Sequence, residues 1–358
     1  MNNSTPYFSI IILAYEVEKY IKECIESVLS QTFTDYEMIL VLPAGNDNTE
    51  QICTMYAKRC DKIKILKTEN KGQLLNRISG YNIAEGEFFI SLDGDDVWKK
   101  NLLETIYGEI QKYDCDLILF NFVRFKENLM GEKAISVFSD EAFFSKEKKK
   151  LIFQEFIKAN NINALWLKAF SKSILGKIKE NFEEFASIRK AEDALYSFYI
   201  FQAAERILYL DRALYCYRMR DDSVTHSFRE EELRDIILVR SKLLEELKGE
   251  MKIYDSLFYE ATLKSFVDWI YHCALSEFSY KKKKMLYQSL KNEPLYQKAW
   301  HYRKRIKIPK RLYIFLILHR VSFSALESYS RIYILIKKSR KVQKISYESN
   351  GINCDSHI

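Results

Sequence analysis

Three carboxylates lie within four residues of one another, directly after an apolar segment. Phe88–Leu92 has the composition of a buried strand, and Asp93, Asp95 and Asp96 follow it, with Gly94 between the first two. Carboxylates this close repel one another unless they share a hard divalent cation such as Mg²⁺ or Mn²⁺. Such a cation takes phosphate oxygens as its remaining ligands. The spacing therefore indicates a metal-held phosphorylated substrate; the alternative is an acidic turn in which Asp95 or Asp96 caps a helix.

The length and composition predict a folded, multidomain protein. The chain has 358 residues, of which 47% are hydrophobic and 14% aromatic, so it has room for one large α/β domain and an appendage. The seven cysteines are odd in number and form no C-x-x-C pair, so neither a disulfide framework nor a zinc site is expected. This cysteine usage favours a reducing, cytoplasmic setting.

No segment is predicted to cross a membrane. The apolar run Phe8–Leu13 has no basic residues before it, which favours a strand over a signal peptide. The longest later run, Leu312–Leu318, is far short of the roughly 20 residues that a bilayer requires.

Apolar runs alternate with amphipathic segments along the first part of the chain. Short β-branched runs predict strands, and apolar residues at helical spacing predict helices between them. The predicted strands are Phe8–Leu13, Glu37–Leu42, Ile63–Leu66, Phe88–Asp93 and Asp116–Val123. This alternation is typical of a mainly parallel, twisted, Rossmann-like sheet flanked by helices, with the loops that bind ligands along one edge.

The pattern is less regular after Val123. Residues 126–150 are polar and charged and predict an excursion or loop near the substrate side. Ile207–Leu210 and Ala213–Tyr217 predict a hairpin, and from Glu230 onward the pattern is helical.

Taken together, these segments resemble the GT-A-fold glycosyltransferases of family 2, and especially the bacterial enzymes that build surface polysaccharides. The resemblance covers residues 7–228. The motifs that carry it are Ser9–Tyr15, Glu37–Val41, Asn70–Gln73 with Arg77 and Gly80, Ala84–Asp96, Glu192–Asp193, and Tyr217–Arg220 with Ser223. The resemblance implies a catalytic domain over residues 1–229. The helical pattern and the basic charge that follow predict a helical, basic C-terminal region over 230–358, and its polar end is expected to be disordered.

The resemblance also implies a nucleotide-diphosphate sugar donor, most commonly a UDP-sugar, and Mn²⁺ or Mg²⁺ across its two phosphates. Asp93 and Asp95 then form a DxD pair, with Asp95 and Asp96 on the metal and Asp93 toward the metal or the ribose. Such a cation stabilises the charge that builds on the leaving group. The further donor-binding residues implied by the family are Ala14, Tyr15, Arg77, Arg218, Arg220, Ser223 and His226. For Arg77 the alternative is an exposed helix arginine, and for His226 an ordinary surface histidine.

Glu192 and Asp193 match the acidic pair to which the family assigns base catalysis. An acceptor hydroxyl needs a general base in the transition state, so Asp193 is the expected base and Glu192 the alternate or orienting partner. One base and an in-line attack imply inversion at the anomeric carbon. The alternative is that the two acids only stabilise a helix N-terminus.

One motif departs from the family pattern. Family members usually carry two aspartates and a glycine after the second strand, and the first aspartate recognises the nucleobase; this chain has Leu42, Pro43 and Ala44. We expect transfer of a sugar to a glycan or lipid-linked acceptor in surface polysaccharide synthesis. Because the leucine side chain cannot accept a hydrogen bond from a nucleobase, recognition of the base must differ, pass to backbone groups or be weak. The alternative function is a glycosyltransferase-like binding or scaffolding protein without donor turnover.

Positive charge is concentrated near the end of the chain. The net charge is +7, and Lys281–Lys344 alone holds 19 Lys and Arg against two acids. Short apolar runs within this stretch favour an interfacial helix on an anionic membrane, so we expect a peripheral protein at the inner face of the cell membrane. The alternative is a helical subdomain that packs on the core or on a second copy in a homodimer. No nucleic-acid partner is expected, because no known aromatic-basic motif accompanies the charge.

Overall fold

The computed structural model describes residues 5–127, 129–158, 161–220 and 228–305, with Ser324 and Ser328. The apolar runs of the basic tail and the predicted disordered end lie outside the described residues. The chain divides into two compact units, one from 1–226 with 242–250 and the other from 227–241 with 251–358. The domain boundary expected at residue 229 stays a prediction.

The first unit is an α/β structure built on one sheet. Its strands are β1 Phe8–Leu13, β2 Tyr36–Pro43, β3 Ile63–Thr68, β4 Phe88–Asp93, β5 Val97–Trp98, β6 Leu117–Lys126, β7 Leu129–Lys133, β8 Ala142–Phe144, β9 Lys168–Ser171 and β10 Ile207–Arg218. Its helices are α1 Ile21–Leu29, α2 Thr49–Ala57, α3 Gln73–Ile83, α4 Leu102–Tyr113, α5 Lys149–Ile157, α6 Lys172–Lys177 and α7 Glu192–Ala203. Within the described residues the strand order is β3-β2-β1-β4-β9-β6-β10-β5, with β7 beside β6 and β8 beside β10.

The first four strands of this sheet are parallel. β1 lies between β2 and β4, and β3 pairs with β2. Every residue of β1 is buried, as its continuous apolar run predicts. The register places Leu13 beside both Val41 and Asp93, so the carboxyl ends of β1 and β4 meet at one edge. The predicted α/β fold class is confirmed.

The second half of the sheet is more mixed than predicted. β9 is antiparallel to β4 and β6, while β10 is parallel to β6 and antiparallel to β5 and β8. The predicted hairpin at residues 207–217 is wrong: β10 is one strand whose pairing with β6 is irregular between Tyr209 and Tyr215. Asp211 and Arg212 resemble a turn in sequence, but their side chains bind Lys133 and Glu109 on neighbouring elements.

The loop predicted at residues 126–150 is also wrong, because β7, β8 and the start of α5 lie within it. All five residues of β7 are exposed, so this edge strand lacks the apolar alternation by which a half-buried strand is recognised. It is held by backbone pairing with β6 instead.

The second unit is helical in its described part, as the pattern beyond Glu230 predicts. Its elements, with α8 divided between the units, are α8 Glu232–Glu246, α9 Met251–Leu275, α10 Tyr280–Asn292 and α11 Pro294–Trp300. α9 packs on α11 through Phe266 and Tyr296, whose ring centroids are 5.7 Å apart. Across the described residues, no helix combines the length and the apolar character that a bilayer crossing requires.

Candidate active site

A cavity of about 320 Å³ opens where β1 and β4 end. Its walls come from the carboxyl ends of these strands, from α3, from the first turn of α7 and from the end of β10. The lining residues are Leu13, Tyr15, Val17, Pro43, Asn70, Gln73, Asn76, Arg77, Asp93, Gly94, Asp95, Trp166, Glu192, Asp193, Tyr217 and Arg220. The cavity therefore brings together seven predicted site residues: Tyr15, Arg77, Asp93, Asp95, Glu192, Asp193 and Arg220.

Two glycines fix the position of α3 above the strand ends. Gly72 precedes the helix with φ +87°, and a Cβ there would lie 2.1 Å from the Ala186 carbonyl oxygen. At Gly80 a Cβ would lie 2.7 Å from the side chain of Ile11 and 2.9 Å from that of Val41. Only glycine permits this approach of helix to sheet, which places Arg77 over the end of β4.

Arg77 joins two carboxylates that are far apart in sequence. Its side chain is 2% exposed; Nη1 donates to Asp193 Oδ1 at 2.9 Å and Nη2 donates to Asp93 Oδ1. Burial opposes its charge, but the two aspartates outweigh burial and raise the Arg77 pKa. The exposed-helix alternative for Arg77 is therefore wrong, and its guanidinium bridges the DxD segment to the first turn of α7.

Of the three clustered aspartates, Asp93 and Asp95 face the cavity. Asp95 Oδ2 accepts a hydrogen bond from Arg220 Nη1 at 2.9 Å. Burial first and the Asp93 charge second raise the Asp95 pKa, against the opposing effect of Arg220. The helix-cap alternative is wrong, because α4 begins only at Leu102 with Asn101 as its N-cap residue.

Asp96 departs from the expectation that it binds metal. It is 1% exposed, and its two oxygens accept hydrogen bonds from Tyr215 Oη at 2.6 Å and the Arg218 backbone N–H at 2.7 Å. Burial, followed by the charges of Asp95 and Asp93, raises its pKa well above the ordinary value. Asp96 thus ties β10 to the DxD segment and does not line the cavity.

Within the described residues, no group of three or more His, Cys, Asp or Glu side chains is placed to hold a metal ion. The donor chemistry of Asp93 and Asp95 still fits one. In each carboxylate an arginine binds one of two oxygens, and both carboxylates face the same cavity. Mg²⁺ is ordinarily held by one or two carboxylates together with substrate phosphates, so this pair is a sufficient protein contribution.

The acidic pair at the start of α7 also reaches the cavity. Asp193 Oδ2 accepts a hydrogen bond from the Leu165 backbone N–H at 3.2 Å, in addition to the Arg77 contact. Burial raises the Asp193 pKa, while Arg77 favours its charged form. Burial and the neighbouring Asp193 raise the pKa of Glu192, which is 8% exposed. Asp193 therefore contacts Leu165, in the segment before β9, and Arg77 on α3. Its contacts extend beyond the N-terminus of α7, which the alternative interpretation gave as its only role.

Arg218, the last residue of β10, and Arg220, which follows the strand, have different surroundings. Arg218 does not line the cavity; its Nε donates to the Asp95 carbonyl at 2.7 Å and its Nη2 to Glu23 at 2.7 Å. Arg220 lines the cavity and stacks over Tyr20 at 4.8 Å. It also lines a second cavity of about 330 Å³ beside α1. Ser223 and His226 lie outside the described residues.

The remaining predicted donor-binding residues lie at the end of β1. Tyr15 is 39% exposed at the cavity wall, whereas Ala14 is buried, with its backbone N–H bonded to Val41 O at 3.0 Å. Leu42 is buried in β2 and Pro43 lines the cavity.

Among the lining residues that were not predicted as donor or catalytic residues, five have polar or aromatic side chains: Asn70, Gln73, Asn76, Trp166 and Tyr217. Asn70, Gln73 and Tyr217 stand in motifs that the family resemblance had marked. Trp166 stacks on Tyr217 with ring centroids 5.6 Å apart, and no sequence signal connected it to this edge of the sheet.

A sheet of this topology, with an aspartate pair at and just after the end of β4, is similar to that of the GT-A-fold glycosyltransferases. Staphylococcus aureus TarS residues 1–349, solved in complex with UDP-GlcNAc, has a similar fold with a TM-score of 0.54 and 21% identity, covering 84% of this chain and 92% of that TarS fragment. A mannosyltransferase from Pyrobaculum calidifontis, PcManGT, solved with GDP-Man and Mn²⁺, has a TM-score of 0.50 and 13% identity, covering 84% and 86% of the two chains. At these identities the likeness concerns the fold.

Sequence comparison identifies the family. The family model for glycosyl transferase family 2 matches residues 9–178. Glycosyltransferase GlyG of Streptococcus pneumoniae is 30% identical over 244 residues, which are 65% of this chain and 78% of GlyG. The match to the uncharacterized glycosyltransferase EpsJ of Bacillus subtilis is 28% identical and covers 62% of this chain and 63% of EpsJ. The match to glycosyltransferase GlyA of Streptococcus pneumoniae spans only 33% of GlyA. The chain belongs to glycosyl transferase family 2.

Proposed function

We propose that this glycosyltransferase moves a sugar from a nucleotide-diphosphate donor to a hydroxyl of a glycan or lipid-linked acceptor, with inversion at the anomeric carbon. The observation that carries the proposal is the Arg77 bridge between Asp93 and Asp193. The same cavity therefore holds two carboxylates that could bind a cation, Asp93 and Asp95, and one that could accept a proton, Asp193. Membership of family 2 supports this division of roles.

Asp93 and Asp95 are the residues that would hold Mn²⁺ or Mg²⁺. Bound there, the cation would stabilise the negative charge that develops on the leaving diphosphate. Arg220 is the side chain that we assign to the donor phosphates, because it lines the cavity and its planar fork matches phosphate oxygens. Arg218 holds the Asp95 backbone in place from behind. A UDP-sugar is the favoured donor, and the complex of TarS with UDP-GlcNAc supports this choice.

Asp193 is the proposed general base. As the acceptor oxygen attacks the anomeric carbon, Asp193 takes its proton, the bond from carbon to diphosphate oxygen breaks, and the nucleoside diphosphate leaves with the bonding electrons. Arg77 and the Leu165 N–H favour the ionised form that this role requires, while burial moves the Asp193 pKa upward toward the working pH. Glu192, whose pKa burial also raises above its ordinary value, is the orienting partner.

A second candidate function is a binding or scaffolding protein without donor turnover. Leu42, Pro43 and Ala44 motivate it, because they offer no side-chain acceptor for a nucleobase. The carboxylates of Asp93, Asp95 and Asp193 in one cavity favour the enzyme instead. Calorimetry with UDP, GDP, CDP and dTDP in the presence of Mn²⁺ separates the two, because a scaffold of this kind binds none of them in a metal-dependent manner.

We further propose a role in surface polysaccharide synthesis at the inner face of the cell membrane. The described part of the basic region supports a membrane contact, because the exposed Lys281 and Lys284 at the start of α10 are flanked by Tyr280, 42% exposed, and Met285, 55% exposed, whereas Lys283 is buried and donates to the Ala274 carbonyl. Lysines beside exposed apolar side chains suit an anionic lipid surface. Flotation with vesicles containing phosphatidylglycerol tests the contact; a chain that floats equally with neutral vesicles, or that forms a dimer and does not float, contradicts it.

A donor screen tests the proposed activity. Purified protein is incubated with Mn²⁺ or Mg²⁺ and a panel of UDP-, GDP-, CDP- and dTDP-sugars, and the released nucleotide is measured. We expect release from one donor, lost in Asp95→Asn and retained in the matched control Asp61→Asn, whose exposed carboxylate lies outside the cavity. Equal activity of Asp95→Asn and wild type would contradict the assignment.

A further inference from the structure

A fully buried lysine lies behind the wall of the cavity. Lys168 begins β9 and is 0% exposed. Its Nζ donates to the backbone carbonyl of Ile162 and, at 2.7 Å, to that of Ala164. The carbonyl between them, of Asn163, accepts a hydrogen bond from Ser197 Oγ on α7 at 2.8 Å. Three consecutive carbonyls are therefore held by side chains.

The anchored backbone forms the wall beside Asp193. We call residues 161–167 the wall segment; it consists of two short 3₁₀ turns, Asn161–Asn163 and Leu165–Leu167. From it the Leu165 N–H donates to Asp193 Oδ2, and Trp166 lines the cavity. One side of the segment thus contacts Lys168, and the other contacts the carboxylate and the cavity.

We propose that Lys168 is a positioning residue for the base: by holding the carbonyls of Ile162 and Ala164 it fixes the Leu165 N–H on Asp193 and the Trp166 ring at the cavity. This inference rests on the proposed role of Asp193. Lys168 does not touch the cavity, so it acts through the wall segment. Among the described residues it forms no ion pair, which distinguishes it from a lysine kept for a salt bridge.

Electrostatics agree with this placement. Burial lowers the pKa of Lys168 to about 7, and Asp193 opposes that effect. The charged groups around the Asp193 carboxylate are Arg77 on α3, Asp93 on β4, Lys168 on β9 and Glu192 on its own helix. Removing Lys168 takes away a positive charge and loosens the Leu165 hydrogen bond, and both changes favour the protonated form of Asp193.

Lys149 offers a matched control. It is also a lysine whose ammonium binds two backbone carbonyls, those of Gln202 at 2.8 Å and Ala204 at 2.7 Å. These lie at the C-terminal end of α7, the helix that begins with the Glu192–Asp193 pair. Lys149→Met therefore removes the same type of contact without touching the wall segment.

The experiment compares Lys168→Met, Lys149→Met and Ser197→Ala as full-length proteins. For Lys168→Met we expect a fall in kcat of the order of 10²-fold, the loss typical of a misplacement of about 1 Å, with UDP binding unchanged by calorimetry. The acidic limb of its pH–rate profile moves to higher pH, and peptides from residues 161–167 exchange amide hydrogen faster. Ser197→Ala changes exchange and rate in the same direction by less, and Lys149→Met changes neither.

The inference would be overturned if Lys168→Met kept the wild-type kcat, the wild-type acidic limb of the pH–rate profile and the wild-type amide hydrogen exchange. Equal losses in Lys149→Met would also overturn it. If Lys168→Met does not fold, Ser197→Ala decides, and wild-type exchange and kcat in that variant overturn it. Failure of the proposed function gives a different result, because the wild-type protein would then transfer no sugar. Amide hydrogen exchange of residues 161–167 would still show whether Lys168 anchors the wall segment.

Discussion

Arg77→Met is the substitution from which we expect the largest combined loss. It removes the cation between Asp93 and Asp193 and leaves two carboxylates at the cavity without their shared partner. Removing one member of a buried ion pair costs about 3 to 5 kcal/mol. Arg77 is 2% exposed, but its partners are 25% and 22% exposed, so water relieves part of the repulsion and we take the lower end, about 3 kcal/mol.

For a unit of this size, about 3 kcal/mol corresponds to a fall in Tm of roughly 6 to 12 °C. Differential scanning fluorimetry measures it, and the donor assay measures the accompanying loss of turnover. Arg77→Lys keeps the charge but not the two-pronged geometry, so we expect a smaller fall in Tm and a similar loss of turnover.

Arg206→Met provides the control for Arg77→Met. Arg206 pairs with Asp114, but the two side chains are 48% and 83% exposed, and exposed pairs contribute about 0 to 1 kcal/mol. A Tm for Arg77→Met within about 2 °C of wild type, or an equal fall in Arg206→Met, would refute the account of the Arg77 bridge.

Three further predictions follow from the same region. Burial raises the Glu192 pKa above its ordinary 4.5, so the folded state keeps a proton that the unfolded chain has lost, and stability falls as pH rises from about 4.5 through the folded pKa. Glu192→Gln should therefore raise Tm more at pH 8 than at pH 5. An equal rise in Tm at both pH values would be inconsistent with this. Gly72→Ala places a Cβ 2.1 Å from the Ala186 carbonyl at φ +87° and should lower stability by at least about 1 kcal/mol in urea unfolding, whereas Gly176→Ala, with open space at its Cβ, should not. Arg220→Ala removes the cation bound to Asp95, so calorimetry should show tighter Mn²⁺ binding without nucleotide and weaker UDP binding; a gain in UDP affinity would contradict its assignment to phosphate.

The parallel half of the fold could be predicted from local pattern. The continuous apolar runs at β1 and β4 determine strands buried on both faces, and the side chains that follow such strands meet at one edge. Asp93 therefore reaches the cavity for a reason that is visible in the sequence. β10 could not be recognised in the same way, because Asp211 and Arg212 interrupt its apolar pattern while binding side chains on other elements.

The division of labour within the site depends on contacts between distant residues. Arg77 and Asp193 are 116 positions apart, and no local pattern connects them. Asp96 has the same spacing signal as its neighbours, yet Tyr215 and the Arg218 backbone take both of its oxygens. Lys168 is an ordinary lysine in the sequence, and only the fold shows that its ammonium is buried beneath the wall segment.

The central feature of the proposed function is a cation-and-donor site at Asp95 and a separate base at Asp193 within one cavity. Its most direct test is calorimetric UDP binding with Mn²⁺, measured beside sugar transfer, in Asp95→Asn and Asp193→Asn. We predict that Asp95→Asn loses metal-dependent binding, whereas Asp193→Asn binds UDP as wild type does and loses transfer by about 10²- to 10⁴-fold, the usual contribution of a general base. Wild-type transfer by Asp193→Asn, or metal-dependent UDP binding by Asp95→Asn equal to that of wild type, would contradict the proposal.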